Sequence, residues 1–283
     1  MQTLFLALLL AAVFGLFVPK AQTELRGTLK RHPGSVWAFP FLLTGVFAAA
    51  ATVAGAFSLP LIAMVLGYTL APVACVALGA DFAAILFLWL PLEFAAGAHL
   101  VPRPAQGFLH SVAYGVAILL GLVLFLSYRA LPGMKYNLPR DRRDWLLPLI
   151  GFAIVAPLLI VVGVAIDFIP MPHWSTTAGG KMVAAVGIVF AGTALPEEIL
   201  FRALIQNLLM RRFGEGWKTL LLASVIFGAA HLDNGPQAVP NWRYAIEATI
   251  AGVAYGRVFQ KSNSITSSAM LHTMVDWTKH FFF

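Results

Sequence analysis

The sequence of 283 residues has few charged residues and only one cysteine. Charged residues make up 11% of the chain and hydrophobic residues 60%, so a soluble globule of this length could not cover itself with polar groups. Cys75 has no partner cysteine, which excludes an intramolecular disulfide framework and a cysteine-based metal site. The composition therefore excludes soluble enzymes and disordered scaffolds, and it predicts an integral membrane protein embedded in the lipid bilayer.

Apolar runs separated by turn and charge signals predict an all-α fold, a polytopic transmembrane helix bundle of about ten spans. We expect an N-terminal half over residues 1–145, with five helices and a basic loop, and a C-terminal helical half over residues 146–283. The spans are predicted near Leu4–Val18, Trp37–Phe57, Leu61–Leu78, Phe82–Gly97, Phe108–Tyr128, Leu146–Ile169, Met182–Met210, Thr219–Leu232, Tyr244–Gly256 and Ile265–Phe282.

The positive charges fall mainly on one side of these predicted spans. Of the 19 Lys and Arg residues, 14 lie on that side, and the most basic loop runs from Arg129 to Trp145. Because basic loops are retained in the cytoplasm, the pattern predicts a cytoplasmic 129–145 loop and an N-terminus outside, in a bacterial inner membrane. The net charge of +7 follows from this asymmetry, so we expect no nucleic-acid partner.

Ionisable residues within the predicted spans are concentrated in the C-terminal half. Glu198 and Arg202 are four residues apart and share one helical face, which predicts an ion pair between them. Glu197 points about 100° away from Glu198 around the helix axis and is left for another role. The alternative is a purely structural cluster of three charges that locks neighbouring helices together.

Two further spans carry paired polar or aromatic residues at helical spacing. Phe227 and His231 are four residues apart, as are His272 and Asp276. Counted from the cytoplasmic charges at 1.5 Å per residue, Glu197, His231 and His272 lie at depths of about 21, 20 and 17 Å. Three helices are therefore predicted to bring a carboxylate and two imidazoles to one level of the membrane, which favours a site that faces the bundle interior.

The ordered motifs Glu-Glu-x-x-x-Arg, Phe-x-x-x-His and His-x-x-x-Asp resemble those of the CAAX prenyl protease and bacteriocin-processing (CPBP, or Abi) intramembrane proteases. The resemblance is to the Rce1-like kind and covers about residues 182–283, which are predicted to form the catalytic core. It implies an all-helical endopeptidase whose site lies inside the membrane, with a membrane-associated protein or peptide as substrate. The sequence does not indicate an oligomeric state.

The resemblance also implies roles for individual residues. Glu197 corresponds to the catalytic carboxylate, Glu198 and Arg202 to its supporting pair, His231 to the residue that positions water, and His272 with Asp276 to the transition-state stabilisers. Phe227 belongs to the second motif and is a supporting residue. The last position is often Asn in the family, and an ionised Asp276 cannot donate a hydrogen bond to an oxyanion as Asn can.

Peptide hydrolysis at this site would require an activated water, because no serine or cysteine is suitably placed to act as a nucleophile. Glu197 would be the base, with no cofactor. The alternative is a zinc protease with His231, His272 and Asp276 as ligands and Glu197 as base. We favour the metal-free interpretation because the His-x-x-x-His spacing of many zinc proteases is missing. Buried Glu, His and Asp also occur in transporters and proton relays, and a non-catalytic scaffold that captures a partner helix is a third hypothesis.

Overall fold

The computed structural model describes residues 1–93, 106–235 and 239–283, and these residues form helices and connecting turns without a β-strand. The chain divides into two compact units, Met1–Gly133 and Met134–Phe283. The predicted all-helical membrane fold is therefore confirmed. The functional division expected at residue 145 stays a prediction.

The described residues of the first unit, 1–93 and 106–133, form six helices. They are α1 (Gln2–Gly15), α2 (Pro19–Arg31), α3 (Ala38–Val53, preceded by a 3-10 turn at Pro33–Trp37), α4 (Leu59–Ala77), α5 (Asp81–Glu93) and α6 (Gln106–Gly121, continued by a π-helical stretch at Leu122–Tyr128). The hydroxyl groups of Thr44 and Thr69 lie 3.1 Å apart and join α3 to α4 away from water. Arg26 of α2 donates a 2.8 Å hydrogen bond to the carbonyl oxygen of Leu126, a backbone group in the π-helical stretch.

In the second unit, the structure describes residues 134–235 and 239–283, and these form five helices. They are α7 (Arg142–Ala165), α8 (Gly179–Phe213), α9 (Trp217–Ala229), α10 (Trp242–Lys261) and α11 (Ile265–Phe282). Three of them begin at side-chain caps, with Asp141, Asn241 and Ser264 accepting a backbone N–H from the first turn of α7, α10 and α11. Such caps satisfy N–H groups that have no partner within the helix.

Glycines allow α9 and α10 to pack closely. A Cβ atom at Gly228 would overlap the Thr249 hydroxyl and would lie 2.5 Å from the carbonyl oxygen of Ala245. At Gly256 a Cβ atom would lie 2.5 Å from the Gln206 side-chain oxygen and 2.6 Å from the Leu220 side chain. The glycines therefore bring the backbone of α10 against α8 and α9, which supply the two glutamates and His231.

The number of spans differs from the sequence prediction of about ten. Within the described residues, five helical segments are long and apolar enough to cross a membrane, and a bent pair formed by α1 and α2 could make a sixth. The five are Pro33–Val53, Leu59–Ala77, Gly107–Tyr128, Arg142–Ala165 and Gly179–Phe213.

The difference has physical causes. The apolar helices Asp81–Leu92 and Trp217–Ala229 are short, and the chain bends by 85° between α1 and α2. The predicted span Phe82–Gly97 also lies in part outside the described residues. The helices α10 and α11 are as long as a span but carry charged and hydroxyl side chains along their length, so their apolar character is weaker than their length suggests.

Candidate active site

Helix α8 changes its geometry around the two adjacent glutamates. A short α-helical turn, Leu195–Glu198, lies between π-helical stretches at Phe190–Ala194 and Ile199–Gln206. Pro196 lacks a backbone N–H and therefore cannot continue the regular hydrogen-bond pattern of the preceding turn. π-Helical turns within α-helices are frequent at functional sites, because they change the direction in which neighbouring side chains project.

Glu198 and Arg202 form the ion pair that their spacing predicts. The Arg202 Nε atom lies 3.1 Å from Glu198 Oε2, and both side chains are fully buried. Neither Nη atom of Arg202 has a hydrogen-bond partner among the described residues. The guanidinium instead lies over aromatic rings, with Cζ 4.7 Å from the ring centroid of Phe227 and 5.8 Å from that of Tyr255. The aromatic faces thus replace part of the hydration that the cation has lost.

Glu198 also anchors helix α11. Its Oε1 atom accepts a 3.0 Å hydrogen bond from His272 Nδ1, and its Oε2 atom accepts one from the Ser268 hydroxyl. The Ser268 hydroxyl lies 2.9 Å from the carbonyl oxygen of Tyr255 and so also connects α11 to α10. Both carboxylate oxygens of Glu198 are therefore occupied by donors, and the group is out of contact with water.

His272 is held by carboxylates on both sides of its ring. Nδ1 faces Glu198, whereas Nε2 lies 3.4 Å from Asp276 Oδ2 and 3.8 Å from Glu197 Oε2. The ring stacks on Tyr255 with centroids 4.5 Å apart and planes at 22°. Because carboxylates only accept hydrogen bonds, the arrangement suits an imidazole ring that presents N–H groups to both sides.

His231 lies just after the last residue of α9 and is 7% exposed. Its Nδ1 atom is 2.8 Å from the carbonyl oxygen of Phe227, which can only accept, so Nδ1 is the nitrogen that carries the hydrogen. Nε2 is then the lone-pair nitrogen. The ring is held between Phe227, at a centroid distance of 4.8 Å, and Tyr244, at 4.6 Å.

A cavity of about 100 Å³ connects these side chains within the second unit. This volume has room for more than one water molecule. Its lining includes Glu197, His231, His272, Asp276 and Tyr255. The Glu197 side chain is 20% exposed, whereas that of Glu198 is 0% exposed. The two adjacent carboxylates therefore differ in environment, since Glu197 lines the cavity and Glu198 lies behind it.

The structure thus brings together all the residues singled out from the sequence. Five of them line the cavity, whereas Glu198 and Arg202 lie behind it. Of these five, Phe227 packs between Arg202 and the two histidines, with its ring centroid 5.8 Å from that of His272. Their catalytic roles stay predictions.

The sequence analysis missed three neighbours of this site, namely Ser268, Tyr244 and Tyr255. Ser268 could have been found, because it precedes His272 by four residues and therefore shares its helical face. The two tyrosines belong to no motif, and only the packing of α10 places them against His231 and His272.

The proposed zinc ligands do not converge as a metal site requires. The described residues contain no group of three or more His, Cys, Asp or Glu side chains with suitable geometry for an ion. A zinc ion bound to His272 would have to displace one of its carboxylate contacts, since both ring nitrogens face carboxylate oxygens. The donor set therefore does not fit a zinc ion in this arrangement of side chains.

Comparison with known proteins identifies one family. Residues 179–278 match the family model described as Type II CAAX prenyl endopeptidase Rce1-like. No curated protein and no solved structure matches the chain. The matched segment begins at the start of α8 and contains every predicted site residue. The resemblance found in the three motifs is confirmed, and this segment is an Rce1-like domain, which supports endopeptidase activity in the membrane in general.

Proposed function

We propose that this chain is a glutamate-type intramembrane endopeptidase, which hydrolyses a peptide bond in a membrane-associated protein or peptide. The observation that carries the proposal is the contrast between the two adjacent carboxylates. Both oxygens of Glu198 already accept hydrogen bonds from buried donors, whereas Glu197 lines a cavity large enough for water and shares it with His231 and His272.

In the proposed first step, Glu197 removes a proton from a water molecule that His231 orients through its lone-pair nitrogen. The water oxygen bonds to the carbonyl carbon of the substrate, and the carbonyl oxygen becomes an oxyanion. Burial in a site with little water strengthens the electrostatic interactions that stabilise this charge.

In the second step, Glu197 returns the proton to the leaving nitrogen, the C–N bond breaks, and a carboxylate and an amine are released. We assign His272 as the donor to the oxyanion, through an Nε2–H that is shared between the oxyanion and the carboxylate of Asp276. Asp276 can only accept as a carboxylate, so its role is to hold His272, from which it lies 3.4 Å away. Glu198 and Arg202 then act as positioning residues, because Glu198 contacts His272, Arg202 contacts Glu198, and neither contacts the reacting atoms.

We further propose that the reaction needs no metal ion. The occupied nitrogens of His272 support this proposal, since no lone pair is directed towards His231 for shared coordination. We also propose a bacterial inner-membrane location with the N-terminus outside, which the distribution of basic residues supports.

The test compares new protein termini in membranes from cells that contain wild type, Glu197→Gln or Glu24→Gln protein. Glu24 is a matched control because its side chain is 67% exposed and far along the chain from the site. We expect cleavage products with wild type and Glu24→Gln, and their loss with Glu197→Gln, because an amide keeps the shape of the side chain but cannot act as a base. Unchanged products with Glu197→Gln would refute the protease mechanism and favour the scaffold hypothesis.

A further inference from the structure

The cavity contains two charged side chains that the proposed reaction does not use. Glu247 of α10 and Lys279 of α11 both line it. Glu247 is 6% exposed, and its Oε1 atom has no hydrogen-bond partner among the described residues. A buried carboxylate oxygen without a donor is unfavourable by several kcal/mol in an apolar environment, so such a group usually faces a ligand or water.

Lys279 lies against aromatic rings, and the charges of Asp276 and Glu247 act on it without a close ion pair among the described residues. Its Nζ atom lies 4.1 Å from the ring centroid of Tyr244 and 4.4 Å from that of Phe168. Within the described residues, it makes no ion pair with a carboxylate. The rings fix the position of the ammonium group but do not use its hydrogen-bond donors, which are left for a group that enters the cavity.

Ring contacts set an upper limit on the distance between the Lys279 ammonium group and the His231 ring. The Tyr244 ring lies 4.6 Å from the His231 ring on one hand and 4.1 Å from Lys279 Nζ on the other, so the ammonium is at most about 9 Å from His231. An extended peptide rises about 3.3 Å per residue. The ammonium group of Lys279 is therefore within two or three residues of a peptide bond positioned at His231, and Glu247 lines the same cavity.

The charges in the cavity indicate which ligand fits. Glu197, Asp276 and Glu247 are carboxylates, and Lys279 is the ammonium beside them. His272, whose ring presents N–H groups to carboxylates on both sides, also lines the cavity, so the lining offers donors as well as acceptors. An internal peptide segment is uncharged, and it offers an N–H donor for Glu247 and a carbonyl acceptor for Lys279.

We propose that Glu247 and Lys279 bind the main chain of the substrate within two or three residues of the cleaved bond. This inference rests on the proposed function, because the ligand is taken to be the substrate. Both residues are positioning residues. They would fix the register of the chain relative to Glu197 without taking part in proton transfer.

The test measures peptide binding apart from cleavage. Short synthetic peptides that span a cleavage site mapped in the terminus comparison are titrated against Glu197→Gln protein in lipid nanodiscs. One series carries an N-methyl group on successive backbone nitrogens, which removes one N–H at a time. We expect one position, within two or three residues of the cleaved bond, to weaken binding about tenfold, since a hydrogen bond to a charged group contributes about that much.

The same N-methyl scan is repeated with Glu247→Leu and Glu247→Gln in the Glu197→Gln background. The loss at that position should fall below about twofold with Glu247→Leu, because the acceptor is gone, and should return with Glu247→Gln, which keeps an acceptor oxygen. Lys279→Met should lower the affinity for carboxylate-ended and amide-ended peptides to the same extent. If Lys279→Met lowers the unfolding temperature, Lys279→Gln is used in its place. Lys181→Met is the matched control, because Lys181 is exposed.

Several outcomes would overturn the inference. A flat N-methyl scan, or a scan unchanged by Glu247→Leu, would show that Glu247 does not bind the main chain. A Lys279→Met effect confined to carboxylate-ended peptides would show an anchor for a free carboxy-terminus instead. Different results would refute the proposed function. These are cleavage in cells that persists with Glu197→Gln, or the lack of any cleavage site in the terminus comparison. In the last case the inference is refuted together with the function.

Discussion

Replacement of Glu198 by glutamine tests the central charge arrangement of the site. The glutamine has the same shape, but it removes the charge opposite Arg202 and places an NH₂ group where Arg202, His272 and Ser268 all present donors. Breaking a buried ion pair from one side is typically unfavourable by about 3–5 kcal/mol. We expect the upper part of this range, because both Nη atoms of Arg202 already lack hydrogen-bond partners within the described residues.

A loss of this size is a large part of the free energy of unfolding of a typical domain, which is about 5–15 kcal/mol. Unfolding of purified protein in mixed detergent micelles can measure it. Glu197→Gln is the control, and its free energy of unfolding should change by less than about 1 kcal/mol. Glu197 is partly exposed in the cavity, and its 3.8 Å contact with His272 is longer than the 3.1 Å ion pair of Glu198 with Arg202.

A double mutant separates the ion pair from other effects. In Glu198→Gln/Arg202→Met neither charge is left, so most of the lost stability should return, since replacing both partners of a buried pair is often neutral. Two results would refute the reasoning. In the first, Glu198→Gln has the same free energy of unfolding as wild type. In the second, Arg202→Met lowers the free energy of unfolding as much in the Glu198→Gln background as it does in wild type.

Four further predictions follow from other parts of the molecule. Lys135→Met should lower the free energy of unfolding by about 1.5–3 kcal/mol, because Nζ donates to three carbonyl oxygens at the end of α10, at 2.7, 2.9 and 3.2 Å. Gly228→Ala should destabilise by about 1–3 kcal/mol through overlap with Thr249, whereas Gly179→Ala, with open space around it, should not. Purified protein should contain substoichiometric zinc and keep its activity in a chelator; about one zinc per chain, lost with activity in His231→Ala, would overturn the metal-free mechanism. Reporter fusions should read the 129–145 loop as cytoplasmic and a fusion after Phe283 as external, and the opposite readout would refute the predicted topology.

The part of the site that lies on single helices could be predicted from the sequence. The pairs Glu198 with Arg202 and His272 with Asp276 are four residues apart, and helical geometry alone brings such residues together. The difference between Glu197 and Glu198 was predictable for the same reason, because adjacent residues on a helix point in different directions. The helical fold followed from composition, since only helices and closed barrels satisfy backbone polar groups in lipid.

The part that depends on packing between helices could not be predicted. Tyr244 and Tyr255 reach the histidines only because glycines let α10 approach α9 closely. The separation of these two helices cannot be inferred from the spacing of residues within either one. The count of about ten spans differs from the five or six candidates among the described residues, because hydropathy measures the length of an apolar run and not the geometry of the helix. Bends, such as that between α1 and α2, and polar faces, such as those of α10 and α11, are not visible in such a run.

The position of the Glu198 and Arg202 pair on one helix has a consequence for biosynthesis. A charged side chain such as arginine opposes entry of a helix into the bilayer by about 2.5–3.5 kcal/mol at its centre. Helix α8 carries the arginine and its counterion four residues apart, so it can neutralise both before any later helix exists. Ser268 and His272, which also bind Glu198, lie on a helix that the ribosome makes about 60 residues later. Helix α8 can therefore enter the membrane before the rest of the site has been synthesised. Helix α11 then binds to a helix that is already inserted.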